Sequence, residues 1–127
     1  MTFAHVSVRT SDMDRSIKFY ETYFEMKLAS RRVIPQTNAE IAFLDSPGTG
    51  LRLELTRYRE QAKFEQASYE NRVFDHLAFT VPDCDVLVKK MKSEGITVTD
   101  EPFMLGTGKI AFVEDPDGTL IEVIERK

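Results

Sequence analysis

The chain contains two histidines, His5 and His76, and they stand at equivalent places in a repeated pattern. His5-Val-Ser-Val-Arg-Thr-Ser-Asp12-Met-Asp14 recurs 71 residues later as His76-Leu-Ala-Phe-Thr-Val-Pro-Asp83-Cys-Asp85. A glutamate follows late in each half, in Leu-Arg-Leu-Glu54-Leu and again 68 residues on in Thr-Leu-Ile-Glu122-Val. Two neutral imidazoles and two carboxylates neutralise a divalent cation, and such nitrogen–oxygen ligation suits nickel, cobalt, zinc, manganese or iron. Taken singly, each side chain reads as an ordinary half-buried histidine or a rim carboxylate. Taken together, their duplicated placement favours four ligands converging on one centre. No local signature such as H-E-x-x-H is present, so the pattern rests on the repeat alone.

The elements that must position these residues are legible on both sides of the repeat. Alternation over residues 3–10 puts Ala4, Val6 and Val8 on one face and His5, Ser7 and Arg9 on the other, which predicts a half-buried strand. Met13, Ile17, Tyr20 and Phe24 then recur at helical spacing over 12–24, opened by Ser11 or Asp12 as a cap. A strand near 40–45, a turn at 47–50 and a strand over 51–57 complete the first half, with 28–33 a candidate short strand. The second half repeats the plan: strand 74–81, helix 84–93 closed by Gly95, strand 109–114, turn 115–118 and strand 119–125, with 97–99 a candidate short strand. Ile41-Ala-Phe-Leu-Asp45-Ser-Pro47 and Ile110-Ala-Phe-Val-Glu114-Asp-Pro116 anchor the alignment between the halves.

The fold class expected is therefore α+β, a single domain over 1–127 built from two βαβββ modules. Module one covers about 1–57, a polar linker about 58–72 with room for a helical turn, and module two about 73–127. Period-2 placement sets Leu53 and Leu55 against Glu54, and Leu77 and Phe79 against His76. Glu122, between Leu120 and Ile124 on its own face and Ile121 and Val123 on the other, is expected to be the carboxylate most withdrawn from water. Phe19, Tyr20, Phe24, Phe43, Phe79 and Phe112 read as core packing, and Met104, Leu105, Gly106 and Gly108 as a loop that the glycine pair makes mobile.

Composition narrows the function class. Seventeen basic and 21 acidic residues give a net charge of −4, and the charges are interspersed, which argues against a nucleic-acid partner. The start Met1-Thr-Phe-Ala-His carries no basic segment leading into an apolar run, so a leader or membrane anchor is not expected and the cytoplasm is. The single cysteine, Cys84, lies between Asp83 and Asp85, whose charges disfavour a reactive thiolate.

Together these runs resemble the vicinal oxygen chelate superfamily, and within it bacterial glyoxalase I. The resemblance is carried by His5 through Arg9-Thr-Ser-Asp-Met-Asp-Arg-Ser16-Ile-Lys-Phe19-Tyr20, Met26-Lys-Leu28, Leu53-Glu54-Leu-Thr56, Asp75-His76-Leu-Ala-Phe, and Ile110-Ala-Phe-Val-Glu-Asp-Pro-Asp-Gly118 with Ile121-Glu122. It implies an open, curved mixed sheet around a metal cup. It also implies a homodimer in which His5 and Glu54 of one chain meet His76 and Glu122 of the other at the subunit interface. Nickel or cobalt is the metal implied, ahead of zinc, because histidine stands at the first ligand position. The implied reaction isomerises the hemithioacetal of methylglyoxal and glutathione to a lactoyl thioester. Glu122 would be the base with Glu54 as its counterpart, and Arg9 and Arg72 would hold the glutathione carboxylates. Tyr58, Arg57 and Arg59 depart from the usual pattern after the Glu54 position, which bears on the thiol more than on the metal. Competing readings are an acyl-CoA epimerase, a thiol transferase, a dioxygenase, or a metal-free small-molecule binding module.

Overall fold

A computed structural model describes residues 1–60 and 64–126. The chain forms two compact units, Met1–Glu65 and Gln66–Lys127. The first runs β1 (Val6–Arg9), α1 (Met13–Phe24), β2 (Lys27–Ile34), a 3₁₀ turn at Pro35–Thr37, β3 (Ala39–Asp45) and β4 (Arg52–Tyr58). The second repeats it as β5 (Leu77–Thr80), α2 (Cys84–Ser93), β6 (Val98–Leu105), β7 (Gly108–Glu114) and β8 (Leu120–Glu125). Each unit is thus a βαβββ module with a four-stranded mixed sheet, ordered β1-β4-β3-β2 and β5-β8-β7-β6. The architecture is α+β and neither sheet closes into a barrel.

The pairing that matters for chemistry joins the first and last strands of each module in parallel. Ser7 lies opposite Glu54 and Val8 opposite Leu55, while Ala78 lies opposite Glu122 and Phe79 opposite Val123. Parallel strands require a long crossover, and the intervening helix and hairpin strands provide it. Both helices start on the same device: the carboxylate of Asp12 accepts from the Arg15 amide at 3.1 Å, and that of Asp83 from the Val86 amide at 2.9 Å. Asp12, rather than Ser11, is the cap, since its extended backbone (φ −143°) precedes the first helical residue.

Each helix buries one stripe on its own sheet. Met13, Ser16, Ile17, Phe19, Tyr20 and Phe24 form the stripe of α1, and Cys84, Val88 and Met91 that of α2. They meet Ala42, Leu44, Leu53 and Leu55 in the first unit and Ala111, Val113, Ile121 and Val123 in the second, all buried. The Val, Leu, Ile, Phe and Met side chains among them each stabilise the fold by about 1.5–3 kcal/mol when removed from water. With one face of each sheet committed to its helix, alternation sends Ser7, Glu54 and Glu122 to the opposite face, and His5 and His76 stand immediately before β1 and β5.

Three expectations are corrected here. The stretch 28–33 belongs to an eight-residue strand, and 97–99 opens another that runs on to Leu105. Met104 and Leu105 therefore end β6, and a two-residue turn at 106–107 joins them to Gly108 in a hairpin, so they form no loose loop. The segment 58–72 is not one linker: Tyr58 closes β4, and residues 66–72 belong to the second unit, where the Ala67 amide donates to the Asp117 carbonyl. Ser68 accepts from the amides of Asn71 and Arg72, a single helical turn, while residues 61–63 of the expected linker lie outside the described residues.

Candidate metal centre

The parallel pairing places one imidazole beside one carboxylate in each module. His5 Nε2 is 3.0 Å from Glu54 Oε2, and His76 Nε2 is 3.2 Å from Glu122 Oε2. Both pairs are semi-buried, and the two glutamates are nearly equal in exposure at 15% and 18%. The expectation that Glu122 is the carboxylate most withdrawn from water is corrected accordingly. The apolar residues along β8 enclose it no more than β4 and its hydroxyl neighbours enclose Glu54.

A phenyl ring supports each imidazole. Phe43 meets His5 edge-on at 5.1 Å between centroids, and Phe112 meets His76 the same way at 5.5 Å. These two phenylalanines lie opposite Glu54 and Glu122 in their ladders, so they wall the site face and are not the core packing expected of them. The signal was available: Phe43 is out of phase with buried Ala42 and Leu44, and Phe112 with Ala111 and Val113. Aromatic character alone pointed the other way.

The two pairs are braced differently. In the second module Asp75 Oδ1 lies 2.6 Å from His76 Nδ1, an arrangement that fixes the ring and turns the Nε2 lone pair outward. The equivalent of Asp75 in the first module is Ala4. There the brace falls on the carboxylate instead: Thr56 Oγ1 donates to Glu54 Oε1 at 2.7 Å and Ser7 Oγ approaches the same oxygen at 3.3 Å. In the sequence Ser7 and Thr56 look like ordinary strand polar residues.

The donor set fits a divalent cation. Two donors each about 2.1 Å from an ion stand about 3.0 Å apart at right angles and about 3.4 Å apart in a tetrahedron. The 3.0 and 3.2 Å separations fall in that interval, and neutral imidazole with carboxylate is the ligation that nickel, cobalt and zinc accept. Among the described residues no three His, Cys, Asp or Glu side chains gather into one group. Each module by itself offers a two-donor half-site.

Beside Glu54 a cleft of about 400 Å³ opens within the first module, lined by Ser7, Arg9, Ile34, Ile41, Thr56 and Tyr58 among others. The Arg9 guanidinium carbon lies 4.5 Å from the centroid of the Tyr58 ring, a cation–π contact between two residues that line that cleft. Arg72 is placed otherwise. Its Nη2 donates to Glu114 Oε1 and to the Gly118 carbonyl, both at 3.2 Å, and its Nε is buried without an acceptor. With a side chain only 10% exposed, Arg72 braces the 115–118 turn, and it is not set to receive a carboxylate from solvent. Cys84 is fully buried, and burial first, then Asp85 and Glu125, push its thiol up to about 11. It takes no part in the site. No helix among the described residues is long and apolar enough to cross a membrane.

Comparison with known proteins agrees with the fold. The model of the Glyoxalase/Bleomycin resistance protein/Dioxygenase superfamily matches residues 2–123. A lactoylglutathione lyase of Haemophilus influenzae is 35% identical over 131 residues, covering all of this chain and 94% of that protein. A lactoylglutathione lyase of Arabidopsis thaliana is 39% identical over 129 residues, of which this chain spans 98% of itself but only 44% of the plant protein. Among solved structures, the trypanothione-dependent glyoxalase I of Leishmania major superposes with a TM-score of 0.82 at 29% identity, covering 98% of this chain and 86% of that one. The chain belongs to the Glyoxalase/Bleomycin resistance protein/Dioxygenase superfamily, and within it its similarity runs to the lactoylglutathione lyases.

Proposed function

We propose that the protein is a metal-dependent glyoxalase I-like lyase that isomerises the hemithioacetal of methylglyoxal and a thiol to a lactoyl thioester. The single observation that supports it most is the pair of imidazole–carboxylate half-sites at metal-ligand spacing, one per module. His5 and Glu54 of one chain with His76 and Glu122 of a second copy would hold the ion, which makes the working form a homodimer. Nickel or cobalt is the metal proposed, with zinc the next. When bound, the cation supplies electrophilic stabilisation of the charge that develops on the substrate's two neighbouring oxygens.

The chain's own residues do the rest. Glu122 takes the proton from the carbon that bears sulfur and hydroxyl and returns it to the adjacent carbonyl carbon, while the hydroxyl proton passes to the former carbonyl oxygen, so that no oxidant or reductant is consumed. Glu122 suits that work because positions 78 and 124, where the other module carries Ser7 and Thr56, hold Ala78 and Ile124 and offer it no hydroxyl. Glu54, bonded to Thr56, serves as the steady ligand. Phe43 and Phe112 support the imidazoles edge-on. Arg9 receives a carboxylate of the thiol, glutathione in this reading; relatives are named for both lactoylglutathione and trypanothione. The cytoplasm, where such thiols are reduced, is the compartment proposed.

The test is to assay hemithioacetal isomerisation by chelator-stripped protein with nickel, cobalt or zinc restored one at a time. Formation of the thioester only with metal present is the expected result. Metal uptake without isomerisation would favour an epimerase, transferase or dioxygenase, and no metal uptake a binding module.

A further inference from the structure

The two halves repeat the ligand pair but not what surrounds it, and the difference falls on two hydroxyls. Thr56 Oγ1 is 2.7 Å from Glu54 Oε1 and 2.8 Å from Ser7 Oγ, while Ser7 Oγ is 3.3 Å from the same carboxylate oxygen. A hydroxyl has one proton to give. With that of Thr56 directed at the carboxylate, the proton of Ser7 goes to Thr56 Oγ1 or to Glu54 itself. By either route the two hydroxyl protons run toward the carboxylate and end on Oε1. Only Oε2, 3.0 Å from His5 Nε2, remains turned toward the imidazole. Thr56 is buried at 7% exposure and β-branched, so its hydroxyl is fixed by the strand. The parallel register that sets Ser7 opposite Glu54 closes the group.

We infer that Ser7 and Thr56 are positioning residues that lock Glu54 into presenting a single oxygen to the cation, a restraint the second module lacks because Ala78 and Ile124 occupy the matching strand positions. The inference rests on the metal-site reading proposed above and goes beyond it, since it gives the two otherwise equivalent glutamates different mobilities. A carboxylate held through one oxygen loses little freedom when it binds an ion. A carboxylate without that hold can bind and swing away.

The experiment is titration of metal-free protein with cobalt(II), read by its visible d–d absorption and by the dissociation constant. The proteins compared are wild type, Ser7→Ala/Thr56→Val, Ser7→Ala and Thr56→Ser. Removing partners that orient a ligand weakens metal binding about 10- to 100-fold. The double variant is expected to show that loss together with an altered cobalt band shape, and Thr56→Ser, which keeps the donor, to retain the wild-type affinity and band. Thermal unfolding of each apo-protein separates the effect from a general loss of fold. Should the double variant fail to fold, Ser7→Ala at its exposed position carries the test, with a several-fold loss expected. Wild-type affinity and an unchanged spectrum in the folded variants would overturn the inference while leaving the metal site standing. A wild-type chain that takes up no cobalt would remove both together.

Discussion

Gly118 sits where the second module is least able to accept a side chain. Its φ is +85°, and a Cβ built there would lie 2.3 Å from the Ala67 carbonyl oxygen and 3.2 Å from the Ala67 carbonyl carbon. Carbon–oxygen contacts of this kind normally begin at about 3.3 Å, so the substitution Gly118→Ala must drive the two backbones apart by roughly 1 Å. That movement opposes the Ala67 amide bond to the Asp117 carbonyl, 3.0 Å, and the Arg72 bond to the Gly118 carbonyl, 3.2 Å. An L-residue held at positive φ costs about 1–2 kcal/mol. A lost backbone hydrogen bond adds about 1 kcal/mol, and a weakened bond from a charged, buried arginine about as much again. The expected destabilisation is therefore about 3–4 kcal/mol, measured as the change in unfolding free energy in urea. Gly48→Ala is the control, because Gly48 shares the conformation (φ +77°) but its added Cβ meets nothing within 4 Å. It should cost about 1–2 kcal/mol, the backbone part alone. Equal losses at Gly118 and Gly48 would refute the account of the turn as a close-packed junction between residues 66–72 and the start of β8.

Two further outcomes are expected. Glu122→Gln should lower turnover of the hemithioacetal by about 10²–10⁴-fold, the usual contribution of a positioned base, while cobalt uptake followed spectroscopically is largely kept; unchanged turnover would withdraw Glu122 as the base. For Cys84, the folded thiol stands near 11 against an ordinary value of 9.0, raised by burial and then by Asp85 and Glu125. Because the folded value is the higher one, its contribution is intact below pH 9 and is lost between pH 9 and 11, where only the unfolded chain releases the proton. Wild type should lose about 2–3 kcal/mol relative to Cys84→Ala across that window in urea titrations, and parallel pH profiles for the two proteins would contradict it.

What could be read from the sequence follows from burial. Helices α1 and α2 and strands β3, β4, β7 and β8 each bury one face, so their apolar residues recur with period 3.6 or 2 and their ends carry Asp caps or glycine. The edge strands β2 and β6 do not. Nearly all their residues are exposed, β6 carries Pro102 and shifts register twice, and so the segment to Leu105 reads as loop. Phe43 and Phe112 were misplaced for a related reason: residue type outweighed strand parity, although parity was the sounder guide. Arg72 resembles a ligand-binding arginine by position, and only its contacts with Glu114 and Gly118 show that it serves the fold.

By itself the sequence determined that the chain is duplicated, that each copy is a βαβββ module, and that each brings one histidine and one glutamate to the face away from its helix. Those conclusions need only local periodicity and the comparison of one half with the other. The tertiary structure decided the distances. Parallel pairing of strands far apart in the chain sets His5 against Glu54 and His76 against Glu122, and it puts Ser7 and Thr56 on one carboxylate while Asp75 braces one imidazole. Register across a long crossover depends on how a whole sheet packs on its helix, and no short stretch of sequence encodes it.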